Sequence, residues 1–380
     1  MRKSKLFVSS LVYFITMCVL ILFYILLSVI DLSFLSATAY DIITSVIIQI
    51  VIIMSIPFVL YTVIKKQNIK RTFKDFNFSK ISLKVVLFSF GIGICCYFLN
   101  VLIASFFSNI IMLFGYENIP SYATSATATT LGEFFINLVL VAILPAICEE
   151  VTHRGLLLGG FSRLGLKKAV ILSSLLFGLL HLNINQVFYA TVLGFLMAVA
   201  VVITKSIFPA MIIHFCNNGL SLYFSYASEK GLWGSKITTM LSEFLTGSNA
   251  FTAFLGSFAI MTGLVLLIVL FYVILLKETR MKKMQKLLKN VSAVETSKQD
   301  KEKLAKINPK ANPFSNTYMN NLEQINELLI QYNINGEKDL IFKKEEQESH
   351  KALPLEKVFI ISSIVLGVLV TIFTFIWGIL

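Results

Sequence analysis

The sequence predicts an all-α fold: a polytopic bundle of helices integral to a membrane. Three observations carry that prediction. The 380 residues are 56% hydrophobic and only 14% charged, with a mean hydropathy of +0.80, outside the range of a soluble globular domain. Apolar runs of roughly 17–25 residues, the length that crosses a bilayer, recur along the chain. Lys and Arg collect in alternate connections between those runs, as the positive-inside rule requires.

The runs fall near 6–30, 42–64, 85–113, 133–160, 169–182, 187–204, 207–226, 251–276 and 358–380. Arg2, Lys3 and Lys5 precede the first. It is longer than the roughly 7–15 apolar residues of a secretory signal, so it reads as an anchor although A-T-A follows at 37–39. Lys65, Lys66, Lys70, Arg71, Lys74, Lys80 and Lys84 separate the second run from the third. Arg163, Lys167 and Lys168 follow the fourth, Lys205 follows the sixth, and the eighth opens into a basic segment from Lys277. The connections at 31–41, 114–132 and 183–186 hold no Lys or Arg. Lys230 and Lys236 break the pattern mildly, offset by Glu229 and Glu243. Nine alternating spans put the N-terminus in the cytoplasm and the C-terminus on the opposite face. The richness in Lys, Ile and Asn suggests a bacterial cytoplasmic membrane.

The net charge of +12 is therefore mostly topology, and nucleic acid is not expected as a partner. Residues 277–310 are the exception, with eleven basic against four acidic residues directly after a span. Such a flank attracts anionic lipid head groups or simply solvates a linker. N-P-K-A-N-P-F-S-N at 308–316 is turn-rich. Leu322, Ile325, Leu328, Leu329 and Tyr332 recur at helical spacing, giving an amphipathic helix that docks on the membrane domain or on a partner. The expected organisation is a membrane domain at 1–276, a cytosolic basic and partly irregular insertion at 277–356, and a last membrane helix at 357–380.

Cys18, Cys95, Cys96, Cys148 and Cys216 all lie in apolar runs without C-x-x-C spacing, and read as inert packing thiols. There is no glycine-rich phosphate loop.

The chemistry concentrates in the fourth, fifth and seventh runs. A-I-C-E-E-V-T-H-R-G-L-L-L-G-G-F sets Glu149, Glu150 and Arg154 in one of the most apolar stretches of the chain. His181 ends F-G-L-L-H, and His214 and Asn218 bound H-F-C-N-N. Ionisable side chains at such depth are costly and usually functional. On a helix Glu150 and Arg154, four apart, share a face and can pair. Glu149, about 100° further round, can point into a cavity and act as a general base toward water. Asn218 is one turn beyond His214 and suits an oxyanion donor. At 1.5 Å per residue, Glu149, His181 and His214 can share a depth of about 10–20 Å below the cytoplasmic surface. His153 reads as a satisfied helix-face histidine, Asn217 as packing, and His350 as solvated.

Glu149-Glu150-x-x-x-Arg154, Phe177-x-x-x-His181 and His214-x-x-x-Asn218 resemble, in order and spacing, the three motifs of the CAAX-protease and bacteriocin-processing (CPBP, Abi) family of intramembrane proteases. The resemblance covers about 133–222, roughly a quarter of the chain. That family includes the eukaryotic CAAX prenyl protease 2, which removes three residues after a prenylated cysteine, and bacterial members linked to immunity, peptide processing and regulation. The resemblance implies an eight-helix protease core opening to the cytoplasm, here with an extra C-terminal transmembrane helix. His153 departs from the aromatic or aliphatic residue common at its position.

The reaction expected from the resemblance is endopeptidase cleavage of a membrane-associated peptide or protein. The family is usually classed as metalloproteases, which would make His181, His214 and Glu149 ligands to zinc, with one position open for water. The other reading is a metal-free, glutamate-activated water oriented by the histidines and Asn218. No H-x-x-x-H pair prearranges two ligands on one helix. Two further classes stay open: a proton-coupled transporter, since intramembrane Glu, His and Arg also build relays, and a non-catalytic immunity or regulatory scaffold.

Overall fold

The computed structural model describes residues 4–116, 128–237, 240, 244, 250–294, 297–308, 311–332 and 352–377. It is helical throughout, and no strand occurs among the described residues. The chain divides into two compact units, Met1–Val269 with Ser349–Leu380, and Leu270–Glu348.

In the first unit α1 spans Lys5–Val29 and α2 spans Ala37–Ile64. A short α3, Ile69–Asp75, precedes α4, Leu83–Met112. Helix α5 runs over Leu131–Leu164, α6 over Leu166–Leu180, α7 over Ile184–Thr204 and α8 over Phe208–Lys230. Helix α9, Ala250–Ser292, leads into the second unit, and α12, Pro354–Trp377, returns to the first. Side-chain caps fix several starts. Ser4, Asn68, Ser82 and Asn183 each accept a backbone N–H of the first turn, and Thr130 with Glu133 forms a capping box. Lys205 and Gly231 end α7 and α8 in the left-handed conformation.

Seven described helices are long and apolar enough to cross a membrane, as a multi-pass integral membrane protein requires. Two of the nine expected spans do not meet that measure. Helix α6 has 15 residues, about 22 Å against a hydrocarbon core of about 30 Å. Helix α8 is long enough but diluted by His214, Asn217, Asn218 and its serines. The basic connections gather at one end of the unit. There Lys5 meets Asp75 at 2.9 Å, Ser206 Oγ donates to the Ser79 carbonyl at 2.6 Å, and the Ile207 amide donates to Asn77 at 3.1 Å. Ser4 also bonds Glu356 at the start of α12 at this end. At the far end Tyr116 stacks on Phe375 and accepts a bond from Asn185.

Prolines punctuate two of the helices that carry site residues, α2 and α5. In α2 the segment Ile47–Ser55 is π-helical and is followed by Pro57. In α5 the π-helical segment Leu138–Ile143 is followed by Pro145, and a third π segment covers Val151–Leu158. Proline offers no N–H to the carbonyl four residues back, here Ile53 and Val141. Those two carbonyls accept side-chain bonds instead, from Thr152 Oγ1 and Asn218 Nδ2. In a bilayer a backbone group freed this way must find such a partner.

Close approaches are made by glycine. A Cβ at Gly155 would meet the Phe76 ring at 2.8 Å, at Gly160 the Ser9 side chain at 2.2 Å, and at Gly93 the Cys216 Cβ at 2.5 Å. Phe76 thereby seats in a core with Val8, Val12, Tyr61, Val151, Leu156 and Ile207. Helix α12 packs on α1, α6 and α7, with Gly367 against Leu179. The appended helix therefore buttresses the helix that carries Phe177.

In the second unit the end of α9 packs on α11, Asn316–Gln331, and α10 covers Lys298–Lys306. Leu322, Ile325, Leu328 and Leu329 bury against Met284, Leu287 and Val291. The apolar face of α11 thus covers the core of its own unit. Asp300 accepts Tyr332 OH at 2.6 Å and Ser297 Oγ at 2.7 Å, and these bonds hold its carboxyl down at about 2. His350 lies outside the described residues.

Candidate active site

Glu150 closes the α-helical stretch Leu144–Glu150 of α5, and Arg154 sits one turn on, in the π segment. Both are fully buried, at 0% exposure. Glu150 Oε1 accepts Arg154 Nη1 at 2.7 Å and His214 Nδ1 at 3.0 Å. Arg154 Nη2 donates to the Gly194 carbonyl of α7 at 2.9 Å, and its guanidinium lies 4.5 Å from the centre of the Phe177 ring. The charge of Glu150 is thereby neutralised and tied to three other helices.

Glu149 is placed differently. It is 7% exposed, and Oε1 accepts Gln49 Nε2 of α2 at 2.9 Å. Oε2 of both glutamates is buried without a hydrogen-bond partner among the described residues. Only Glu150 has a cationic partner there. A carboxylate left without a counter-charge is available to take a proton from water, the role of a general base.

The Phe177 ring draws the three motifs together. His153, His181 and His214 approach it edge-on, with ring centres 5.0, 5.2 and 5.6 Å away. His181 directly follows the last helical residue of α6, and its Nδ1 donates to the Phe177 carbonyl at 3.0 Å. Bonding to a carbonyl fixes Nδ1 as the protonated nitrogen and leaves Nε2 as the acceptor. His153 Nδ1 donates to the Glu149 carbonyl at 2.8 Å, while Tyr13 OH lies 3.5 Å from Nε2 and donates to the Leu176 carbonyl at 2.7 Å.

Asn218 is held on another side. Its Nδ2 donates to Val141 at 2.9 Å, its Oδ1 accepts Asn217 Nδ2 at 3.0 Å, and Asn217 Oδ1 accepts Asn100 Nδ2 of α4 at 2.7 Å. Asn217 is thus a link in a carboxamide chain, more than the packing residue the sequence suggested. The contacts of Asn218 are with Val141 and Asn217, one turn from His214, and one of its two N–H donors is spent on Val141.

For zinc the donor set can be tested directly. Among the described residues no three His, Cys, Asp or Glu side chains are grouped so as to hold a metal ion, and that includes His181, His214 and Glu149. His214 Nδ1 bonds Glu150 and Glu149 Oε1 accepts from Gln49, each bond using one atom of its side chain. As placed, these side chains are not grouped as a three-ligand site.

Gln49, Asn100, Tyr13 and His153 were not among the site residues read from sequence. Gln49 and Asn100 could have been found by the criterion that singled out the glutamates. Each interrupts an apolar run, I-I-Q-I-V and F-L-N-V-L.

Residues 131–220 match a family model described as type II CAAX prenyl endopeptidase Rce1-like. Over that quarter of the chain, which holds all three motifs, the protein is similar to the CAAX-protease family. No curated protein and no solved structure matches the chain.

Proposed function

We propose that the protein is an intramembrane endopeptidase that hydrolyses a membrane-associated peptide or protein with Glu149 as general base. One observation carries the reading: of two adjacent buried carboxylates, Glu150 is neutralised by Arg154 and bonded by His214, whereas Glu149, whose Oε1 accepts from the neutral Gln49, has no cationic partner among the described residues. Glu149 takes a proton from water as the water oxygen attacks the peptide carbonyl carbon. The tetrahedral oxyanion needs N–H donors; the second N–H of Asn218 is one within the motifs, and His181 or His214, each with Nδ1 already bonded, donates from Nε2 only as the imidazolium. Collapse breaks the C–N bond, and the proton held by Glu149 passes to the leaving amine. Glu150, paired with Arg154, holds the His214 imidazole in place.

The site opens, in this reading, toward the end where the basic connections gather, which the positive-inside rule makes cytoplasmic. A reporter fused after Lys310 is then cytoplasmic and one within 119–130 external; the reverse pattern contradicts the orientation. The basic segment 277–310 is proposed to meet anionic head groups there. A bacterial cell generally supplies no prenylated cysteine, so an unprenylated peptide or membrane protein is the proposed substrate.

Substrate trapping with Glu149→Gln, followed by mass spectrometry of bound chains, supplies the substrate. Purified protein should cleave it, and Glu149→Ala should not. Proton-driven uptake by liposomes without cleavage would contradict the reading in favour of transport. Intact biological protection by Glu149→Ala would contradict it in favour of a scaffold. Activity should survive chelator dialysis to a zinc-free preparation, whereas stoichiometric zinc lost in His181→Ala would show that the ligands regroup around a metal.

A further inference from the structure

We infer that Gln49, in the second membrane helix and outside the family-matched segment, is a positioning residue that holds Glu149 in the orientation of a general base. The inference rests on the hydrolase reading given above. Its central observation is the 2.9 Å bond from Gln49 Nε2 to Glu149 Oε1, across 100 residues of sequence.

The geometry around that bond separates Gln49 from an ordinary packing residue. Helix α2 around it is apolar, V-I-I-Q-I-V-I-I-M, and lies against the Leu144–Glu150 stretch of α5. Nothing in the packing of two apolar helices calls for a carboxamide there. Gln49 also carries a cost, because its Oε1 is buried without a hydrogen-bond partner among the described residues. A buried polar atom left unpaired in a native protein asks for an explanation, and catalytic roles are one. The segment around it, Ile47–Ser55, is π-helical, a form that often appears at functional sites.

The chemistry follows from which oxygen is used. A carboxylate rotates about its Cγ–Cδ bond unless something holds it. With Oε1 accepting from Gln49, rotation is stopped and Oε2 is left as the proton acceptor. The carboxamide adds no charge, so it holds Glu149 without pairing it with a cation, as an arginine or lysine at 49 would. Glu150 shows the contrast: its cationic partner makes it a structural anion.

The test compares turnover and binding in full-length protein reconstituted in bilayers. Gln49→Met keeps the size and removes the donor. It should lower kcat by about 10²-fold, the scale of a misplaced reacting group, leave KM within about twofold, and leave the thermal midpoint unchanged. The shortened base Glu149→Asp supplies the coupling readout. Its carboxylate no longer reaches Gln49, so adding Gln49→Met should lower kcat no further, as expected for residues acting through one contact. Equal losses in both backgrounds would mark Gln49 as merely structural and overturn the inference. Should Gln49→Met fail to fold, Gln49→Leu, which also removes the donor without adding a charge, should show the same loss in kcat; failure of both to fold also overturns it. If Glu149→Gln is inactive while Gln49→Met turns over normally, the positioning role falls and the hydrolase reading stands. If Glu149→Gln keeps full activity, the hydrolase reading falls and the positioning role with it.

Discussion

Around Glu150 the bundle supplies a guanidinium at 2.7 Å and an imidazole at 3.0 Å, and closes the side chain off from solvent. One residue earlier, Glu149 receives a single neutral carboxamide at 2.9 Å and retains 7% exposure. The two residues share a helix, a depth and a chemistry, so the difference between them is made by their partners. A helical step of about 100° is enough to send one carboxylate toward α8 and its own Arg154, and the other toward α2. On the proposed reading, a buried charge in a membrane is made structural by pairing it, or reactive by withholding the pair.

The largest break in that contrast should come from Arg154→Ala. It leaves Glu150 a buried anion without its guanidinium and bonded only by His214, and removal of one partner of a buried pair costs roughly 3–5 kcal/mol. Folded yield and thermal midpoint should both fall. Glu149→Ala removes no pair and should leave the midpoint near that of the wild type. Comparable destabilisation by the two variants would erase the distinction.

A smaller effect is expected at Gly155, which follows Arg154 directly. The Cβ of Gly155→Ala would meet the Phe76 ring at 2.8 Å, and such overpacking costs typically about 1–3 kcal/mol. Phe76→Leu in the same protein should recover part of the loss by making room. A fully stable Gly155→Ala would show that the contact between α3 and α5 is loose.

The smallest effect belongs to Asp300 in the second unit, a carboxylate outside the membrane spans. Its folded value is lowered to about 2, chiefly by the Tyr332 hydroxyl, against about 3.9 unfolded. A depressed folded value contributes stability above the unfolded one and loses it as pH falls through the folded one. Hydrogen-exchange protection of α10, corrected for intrinsic rates, should therefore decline between about pH 4 and 2. Asp300→Asn should flatten that decline; an unchanged profile in the variant would assign it elsewhere.

Much of the site was legible because carboxylates and imidazoles are conspicuous against Ile, Leu and Phe. Glu149, Glu150, Arg154, His181, His214 and Asn218 were all visible on that ground, and the i,i+4 spacing foretold the Glu150–Arg154 pair. What was not legible is of two kinds. Pairings across helices, Gln49 with Glu149 and Asn100 with Asn217, depend on which spans are neighbours, and apolar composition does not encode that order. Local backbone form is the second kind. Pro57 and Pro145 announce breaks in the hydrogen-bond ladder, but the carbonyls they free find Thr152 and Asn218 only through packing. Hydropathy placed helices at all nine runs, yet it could not see that α6 stops at Leu180 or that α9 continues as helix through Lys277 to Ser292, where lysines suggested a linker.

The central claim is that the two glutamates have separate duties, and Glu149→Gln tests it most directly. The substitution is nearly isosteric and can still bond Gln49, but it cannot accept a proton from water. Turnover of a trapped substrate and the thermal midpoint should be measured on the same bilayer-reconstituted sample. The account predicts that turnover falls on the order of 10³-fold or more, within the range of general-base contributions, with the midpoint unchanged. Near-normal turnover would contradict it and move the base to Glu150.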